Sequence, residues 1–516
     1  MIVRTSRRDF LRSAGVGLAA AGLGAPGLAL AHAAPRRLRV DSRVIEIDGR
    51  AAPVWGIVDD ASGRPFRFAA DQPFRVEVDN RIDEPTLLHW HGLTPPWMQD
   101  GVPDLPHPPI APGIAHRFSF ALRQAGTFWM HSHVGLQQQR LLAAPLIVET
   151  AAEARQDRQD IVVMLQDFSF RAPDEILAEL GVSAAPDDRG TVSPTDPGGH
   201  DMSAMDDAMA MDGGMAMDDG MAMDGGMAMD GGMAMDDGMA MDETAPHLND
   251  FDQDAYLANE RTLADPEIIA IERGGRVRLR LINAAASTNF HIDTGALDAT
   301  LVAVDGADIA PVPARRIPLA MGQRIDLDIE IPAAGGAYPI LALREGGRER
   351  AGLILATSGS VVRKIAGLAD TAAAPLDLAL EAQLAAAAPL SVRPADRRLA
   401  VTLTGDHNPY RWALAIADAA EDRPVEIVYG ERVELVMTNA SPMPHPMHLH
   451  GHAFQVVDVG SGRFAGAVRD TIQIPPGATV TVAFDADNPG NWAFHCHHLY
   501  HLAAGMMATL GYRGAV

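Results

Sequence analysis

Short alternating runs bounded by turn-forming residues limit what this chain can become. Three of them are Phe74–Asn80 (FRVEVDN), Arg276–Asn283 (RVRLRLIN) and residues 433–439 (VELVMTN). A period of two puts every second side chain on one face of an extended strand, so each run reads as a strand with one buried face. Each also ends in Asn and leads into a stretch able to carry a site. That internal similarity predicts one β-sandwich unit used three times. A Pro-Gly turn feeding an alternating strand recurs at residues 111–120 and 474–484. Helical signal is confined mainly to residues 173–180 and to the Ala-rich stretch 376–388, which reads as a linker helix between the second and third units.

The N-terminus reads as an address. Residues 6–12 (SRRDFLR) precede an apolar, small-residue run at 13–30 and then Ala31, His32 and Ala33, a small-x-small cleavage site. Residues 1–33 therefore predict a twin-arginine signal peptide, a folded passenger for the twin-arginine translocation machinery, and a periplasmic destination. A membrane anchor is the alternative, but Gly, Ala and Pro make the run too weakly apolar for a permanent span, and none is expected.

The chain has 42 Lys and Arg against 67 Asp and Glu, a net charge of -25. Repulsion of this size argues against nucleic acid or an anionic membrane surface as partner, whereas cations fit. Some of the acidity is local. From Met209 the sequence Met-Ala-Met-Asp repeats six times at a spacing of six. The first Met of the six copies is Met209, Met215, Met221, Met227, Met233 and Met239, and the second is Met211, Met217, Met223, Met229, Met235 and Met241. Gly-rich, Asp-rich and, from Met202 to Met241, without aromatic or β-branched residues, this insertion of about 195–247 is expected to stay disordered, because it can bury too little surface to offset its ordering entropy. Closely spaced thioethers select Cu(I) over hard cations, so these twelve Met are candidates for copper recruitment; a solvated acidic spacer is the alternative.

Ten of the 19 His stand in pattern in four windows, the last of which also holds His498: His89 and His91; His131 and His133; His445, His448 and His450; His495, His497 and His501. These windows hold 19 of the 516 residues, where an even spread would place fewer than one His. In each His-x-His pair the strand period puts both imidazoles on one face. The single Cys of the chain, Cys496, lies between His495 and His497 and points to the opposite face, so one tripeptide can feed two sites. A single Cys also excludes an internal disulfide and any CxxC site. A thiolate with two imidazoles and a distant Met is the ligand set of a blue-copper centre. Cys496, His501 and Met506 supply three of these locally, and His445 is the natural candidate for the second imidazole.

The four windows resemble the copper motifs of the multicopper oxidases, in that family's order and over essentially the whole chain apart from the Met-rich insertion. His89-Trp90-His91-Gly92, residues 98–103 (MQDGVP), the export signal and the 500–506 segment resemble its periplasmic copper-resistance branch most closely. The resemblance implies an all-β fold of three cupredoxin-like Greek-key β-sandwich domains, at 36–150, 155–370 and 371–516, with the Met-rich insertion in the second. It implies four copper ions. The type 1 copper would be held by His445, Cys496, His501 and Met506, and the type 2 copper by His89 and His448. His91, His131, His133, His450, His495 and His497 would hold the type 3 pair. Electrons would pass from type 1 through Cys496 to His495 and His497 and reduce O2 to water.

Reduction of O2 consumes protons. Asp100 resembles the family's acidic residue near the cluster; its alternative is a turn residue in Asp-Gly. Many bacterial relatives carry Glu immediately before the type 1 His, a position held here by Tyr500. Met443 could line the entry to the type 1 copper or simply pack. His452 and His498 are left without a role and are expected to support the site from outside it or to be exposed. The expected function is periplasmic oxidation of Cu(I) to Cu(II) with O2, serving copper tolerance, by a monomer. A laccase-like oxidase of phenols or other organic donors is the alternative within enzymes. A copper-storage or carrier protein working through the repeat is the alternative outside them.

Overall fold

The computed structural model describes residues 34–59, 65–182, 248–417, 419 and 424–514. The signal segment lies outside the described residues. So does the Met-rich repeat expected to recruit copper, with all twelve of its candidate thioethers: Met209, Met211, Met215, Met217, Met221, Met223, Met227, Met229, Met233, Met235, Met239 and Met241.

Strands dominate and pair into three sets of two mixed sheets, with four and four, six and five, and six and five strands. The second and third sets have the same strand order in both of their sheets, with the first strand of the larger sheet lying parallel to the third. The first set repeats that parallel pairing between Arg36–Ile47 and Phe74–Asn80. Each set encloses its own apolar core, built for example on Val76 and Val78, on Leu279 and Leu281, and on Val433 and Leu435. The fold is the all-β, three-sandwich architecture that the alternating runs predict.

The Asn that ends each of the three runs does the same work each time. Asn80 donates from Nδ2 to the carbonyls of Glu84 and Ile110, both at 2.8 Å, and accepts the Ile82 N–H at 3.2 Å. Asn283 donates to Thr288 and Leu319, both at 3.0 Å, and accepts from Ala285 at 3.1 Å. Asn439 donates to Met443 at 2.7 Å and Ile474 at 2.9 Å, and accepts from Ser441 at 2.9 Å. In each unit the side chain replaces the strand ladder where the chain leaves the sheet, pairing two backbone carbonyls and one N–H.

The predicted helix at 173–180 forms as Pro173–Glu179. The predicted linker helix at 376–388 does not. That stretch is irregular, with turns and bends around a single helical turn at Glu381–Gln383. Its backbone is claimed by the flanking units: Ala310 donates to Ala385, Ala386 to Gly466 and Ala387 to Asp308, while Leu376 donates to the Glu345 carboxylate. Leu376 and Leu384 are buried as anchors. Tertiary hydrogen bonds override the helix propensity of Ala here. Among the described residues no helix is long and apolar enough to cross a membrane.

Candidate metal centre

Two adjacent strand pairs bring the four His windows together. Leu88–His91 runs antiparallel to Gly126–Ser132, with His89 opposite His131. His445–Leu449 runs antiparallel to Asn491–Cys496, with His448 opposite His495 and Met447 opposite Cys496. Register and the two-residue period then decide which side chains share a face. His495 turns to the cluster and Cys496 turns away from it.

On the Cys496 side the Sγ lies 3.7 Å from His445 Nδ1 and 3.8 Å from His501 Nδ1, and these nitrogens are 3.1 Å apart. The group can hold one metal ion. The far nitrogen of His445, Nε2, is hydrogen-bonded with Ser441 Oγ at 2.7 Å, and that of His501 faces the Asp250 carboxylate, with Oδ2 at 3.3 Å. Trp412 lies over the His501 ring at 4.2 Å. Met506 is fully buried in the same core, and its carbonyl accepts the Cys496 N–H. Burial pushes the Cys496 thiol well above its ordinary range, so a cation is what would draw it to thiolate. Met443 is 1% exposed and packs in that core with Met447, so it does not open onto solvent.

The remaining eight imidazoles form one cluster between the first and third units. Nε2 of His495 is 3.0 Å from Nε2 of His450 and 3.3 Å from Nε2 of His133. The ring of His497 lies 5.0 Å from that of His91 and 5.2 Å from that of His131. His89 and His448 sit between these two trios, with His89 stacked on His450 and His448 stacked on His91, both at 3.8 Å. Trp129 stacks on His131 at 4.4 Å and on His91 at 4.9 Å. Backbone carbonyls take Nδ1 of His89, His131, His448 and His495, from Asp100, Ser132, Asp470 and Cys496 respectively. That fixes the tautomer and leaves Nε2 inward. Nε2 of His89, His131 and His448, Nδ1 of His91 and both nitrogens of His497 are buried and have no hydrogen-bond partner.

Buried polar nitrogens without partners are costly unless something binds them. Burial first, and mutual repulsion second, hold His91, His448 and His450 well below the usual imidazole range, and burial takes His495 down to about 4. A set of neutral imidazoles with inward lone pairs, one thiol and a buried thioether fits copper.

Asp100 is 2% exposed and stands at this cluster. Its Oδ2 accepts from His450 Nδ1 at 2.8 Å, and its Oδ1 is 3.4 Å from His89 Nδ1. Tyr500 is buried and donates to Gln139 Oε1 at 3.2 Å. His452 and His498 are buried rather than exposed. His452 hydrogen-bonds Tyr512 OH at 2.6 Å, and His498 stacks on His501 at 3.9 Å, with Nε2 3.2 Å from Asp250.

Three contributors carry no sequence signal. Asp470 accepts from His91 Nε2 at 3.0 Å, Thr471 Oγ1 lies 3.2 Å from both His91 and His448, and Asp250 is reached by His407, Tyr410, His498 and His501. Asp470 and Thr471 follow no motif; only the register that places Thr471 opposite His448 could have revealed them.

Three models described as multicopper oxidase match residues 39–153, 232–361 and 393–513. A multicopper oxidase of Mycobacterium tuberculosis, MmcO, is 28% identical over 85% of this chain and 79% of its own length. Copper resistance protein A of Escherichia coli is 26% identical over 98% of this chain and 99% of its own length. The crystal structure of a laccase from Botrytis aclada superimposes with a TM-score of 0.67 at 21% identity, covering 92% of this chain and 86% of that one. The chain belongs to the multicopper oxidase family, copper-dependent oxidoreductases with O2 as acceptor.

Proposed function

We propose that this oxidase takes electrons from Cu(I) and serves copper tolerance in the periplasm, as a monomer exported by the twin-arginine machinery. The donor set supports four copper ions. Type 1 is at His445, Cys496, His501 and Met506, type 2 is at His89 and His448, and the type 3 pair is at the two trios, one of His91, His131 and His497 and the other of His133, His450 and His495. When bound, copper supplies one-electron acceptance at the Cys496 group and four-electron reduction of O2 to water at the imidazole cluster.

The residues of the chain supply the rest. Cys496 and His495 are consecutive, so one covalent stretch joins the two groups. Ser441 and Asp250 hold the outer nitrogens of His445 and His501 and so aim Nδ1 of each at Cys496. Asp100 orients His450 by accepting its Nδ1–H and is the cluster carboxyl proposed to pass protons.

The observation that carries the Cu(I) reading is Asp250. Its side chain is fully buried beside the outer nitrogen of His501, and in sequence it follows Met241 by nine residues. Burial works to raise this carboxyl, but His498 and His501 outweigh it and hold it well below the usual carboxylate range. This carboxylate sets a negative charge in contact with a type 1 ligand, and its field favours a cationic donor over a neutral one at that group. O2 uptake by the copper-loaded protein with Cu(I) and with a phenol, before and after deletion of residues 201–243, tests this. The reading expects faster uptake with Cu(I) and a loss at low Cu(I) on deletion. An unchanged Cu(I) rate defeats recruitment by the repeat. Preference for the phenol makes the chain laccase-like, and no uptake with either donor leaves storage or transport.

A further inference from the structure

The middle unit contributes none of the ten clustered imidazoles, yet one of its side chains is built into the cluster wall. Arg324, at the start of the strand Arg324–Glu330, is fully buried, and all five of its N–H donors are used. Nη1 donates to Asp470 Oδ1 at 2.7 Å and to Gly322 O at 3.1 Å. Nη2 donates to Asp470 Oδ2 at 2.5 Å and to Asp305 O at 2.9 Å, and Nε donates to Thr127 O of the first unit at 3.1 Å. The clamped carboxylate faces His91. Asp470 Oδ1 takes His91 Nε2–H at 3.0 Å and Thr471 Oγ1–H at 2.9 Å. His91 is thereby the exception among the rings whose tautomer is fixed: its Nε2 points outward, and its Nδ1 is the buried atom left without a partner. Room for the clamp is kept by Gly92, at φ +88°, where a Cβ would lie 2.3 Å from Arg324 Nη2 and 2.8 Å from Asp470 Oδ2.

We propose that Arg324 and Asp470 are positioning residues that set the tautomer of His91, so that Nδ1 rather than Nε2 is the nitrogen offered to the type 3 pair. This rests on the reading of His91 as a type 3 ligand. A carboxylate has only acceptors to offer, so it demands the Nε2–H form. Both of its oxygens are tied to a guanidinium, which fixes its plane as well as its charge, a bidentate arrangement that Lys cannot reproduce. The middle unit therefore acts on the cluster without supplying a ligand. Outer partners of metal-bound imidazoles commonly weigh about 10- to 100-fold in metal affinity or activity when removed.

The decisive variant is Asp470→Ala, which takes both acceptors away; Asn does not serve, because Oδ1 gathers the donors of Arg324 Nη1, His91 and Thr471 and an amide would keep its oxygen there. In the copper-free full chain, 15N NMR of the His91 ring is expected to show the proton on Nε2 in the parent and a mixture of the two tautomers in the variant. In the copper-loaded chain the variant is expected to lose at least one equivalent of copper and at least 10-fold in O2 uptake, while the blue absorption of the Cys496 group stays. Arg324→Lys keeps the buried charge but not the fork, and is also expected to give a mixture of the two tautomers; it decides the matter alone if Asp470→Ala does not fold. A His91 proton that stays on Nε2 in the folded variants overturns the proposal. His91→Ala separates the two readings: if its copper content equals that of the parent, His91 is not a ligand, whatever its tautomer.

Discussion

Cys496 and His495 are neighbours in one strand whose side chains serve different sites: Cys496 Sγ stands 3.7 Å from His445 Nδ1, while His495 Nε2 stands 3.0 Å from His450 Nε2 across the strand. His497, on the other side of Cys496, joins the two groups just as directly, its ring 5.0 Å from that of His91. Cys496→Ser keeps the volume and removes the thiolate. The expected result is no blue absorption and no O2 uptake with any donor, one copper fewer per chain, and a thermal unfolding midpoint close to that of the metal-free parent. Retained turnover would refute the role given to Cys496.

Copper binding should be visible as stability. The folded chain presents inward nitrogens without partners, and the unfolded chain cannot gather them. A ligand bound only by the native state stabilises it by about 4 kcal/mol at 1,000 times its Kd. Removing copper with a chelator is therefore expected to lower the unfolding midpoint by several degrees, reversed on adding copper back. Equal midpoints for the two forms would count against a preformed site.

Much of this was legible in the sequence because it depends on period and order. Alternation located the strands, and the His-x-His spacing located same-face imidazoles, since a strand permits no other arrangement. What escaped depends on contacts between distant segments. Asp470 and Asp250 lie in no motif, and each matters only because another unit of the fold delivers a histidine to it. The stretch at 376–388 misled because local Ala propensity is worth little against backbone partners supplied by two units. The recurring Asn was visible, but its purpose was not until its carbonyl partners were placed.

That Asn gives a prediction in the third unit. Asn439→Ala strands the carbonyls of Met443 and Ile474 and the N–H of Ser441 in the interior, just ahead of His445. Each unpaired buried group costs about 1–3 kcal/mol, so a destabilisation of about 3 kcal/mol is expected in urea titration, with weaker blue absorption from a displaced His445. A change below about 0.5 kcal/mol would mean that the loop holds itself.

Asp250→Asn keeps the hydrogen-bonding shape beside His501 but removes the charge. If the carboxylate draws a cationic donor, the rate with Cu(I) should fall about 10-fold or more, with KM rising, while the rate with a neutral phenol changes much less. Parallel losses with both donors would show that Asp250 acts only by holding His501.

Gly322 is the other point where the middle unit meets the cluster. It has φ +83°, and a Cβ there would lie 2.9 Å from His497 Cδ2 and 3.2 Å from His91 Cε1. Gly322→Ala therefore combines a left-handed backbone that costs an L-residue about 1–2 kcal/mol with direct pressure on two rings of one trio. The Cys496 group is not in that contact. The variant is expected to keep its blue absorption and reduction by the donor, while reoxidation by O2 slows and the trio of His91, His131 and His497 binds copper less tightly. Stopped-flow reduction and reoxidation, measured separately, distinguish this from a general loss of fold, in which both would fail together.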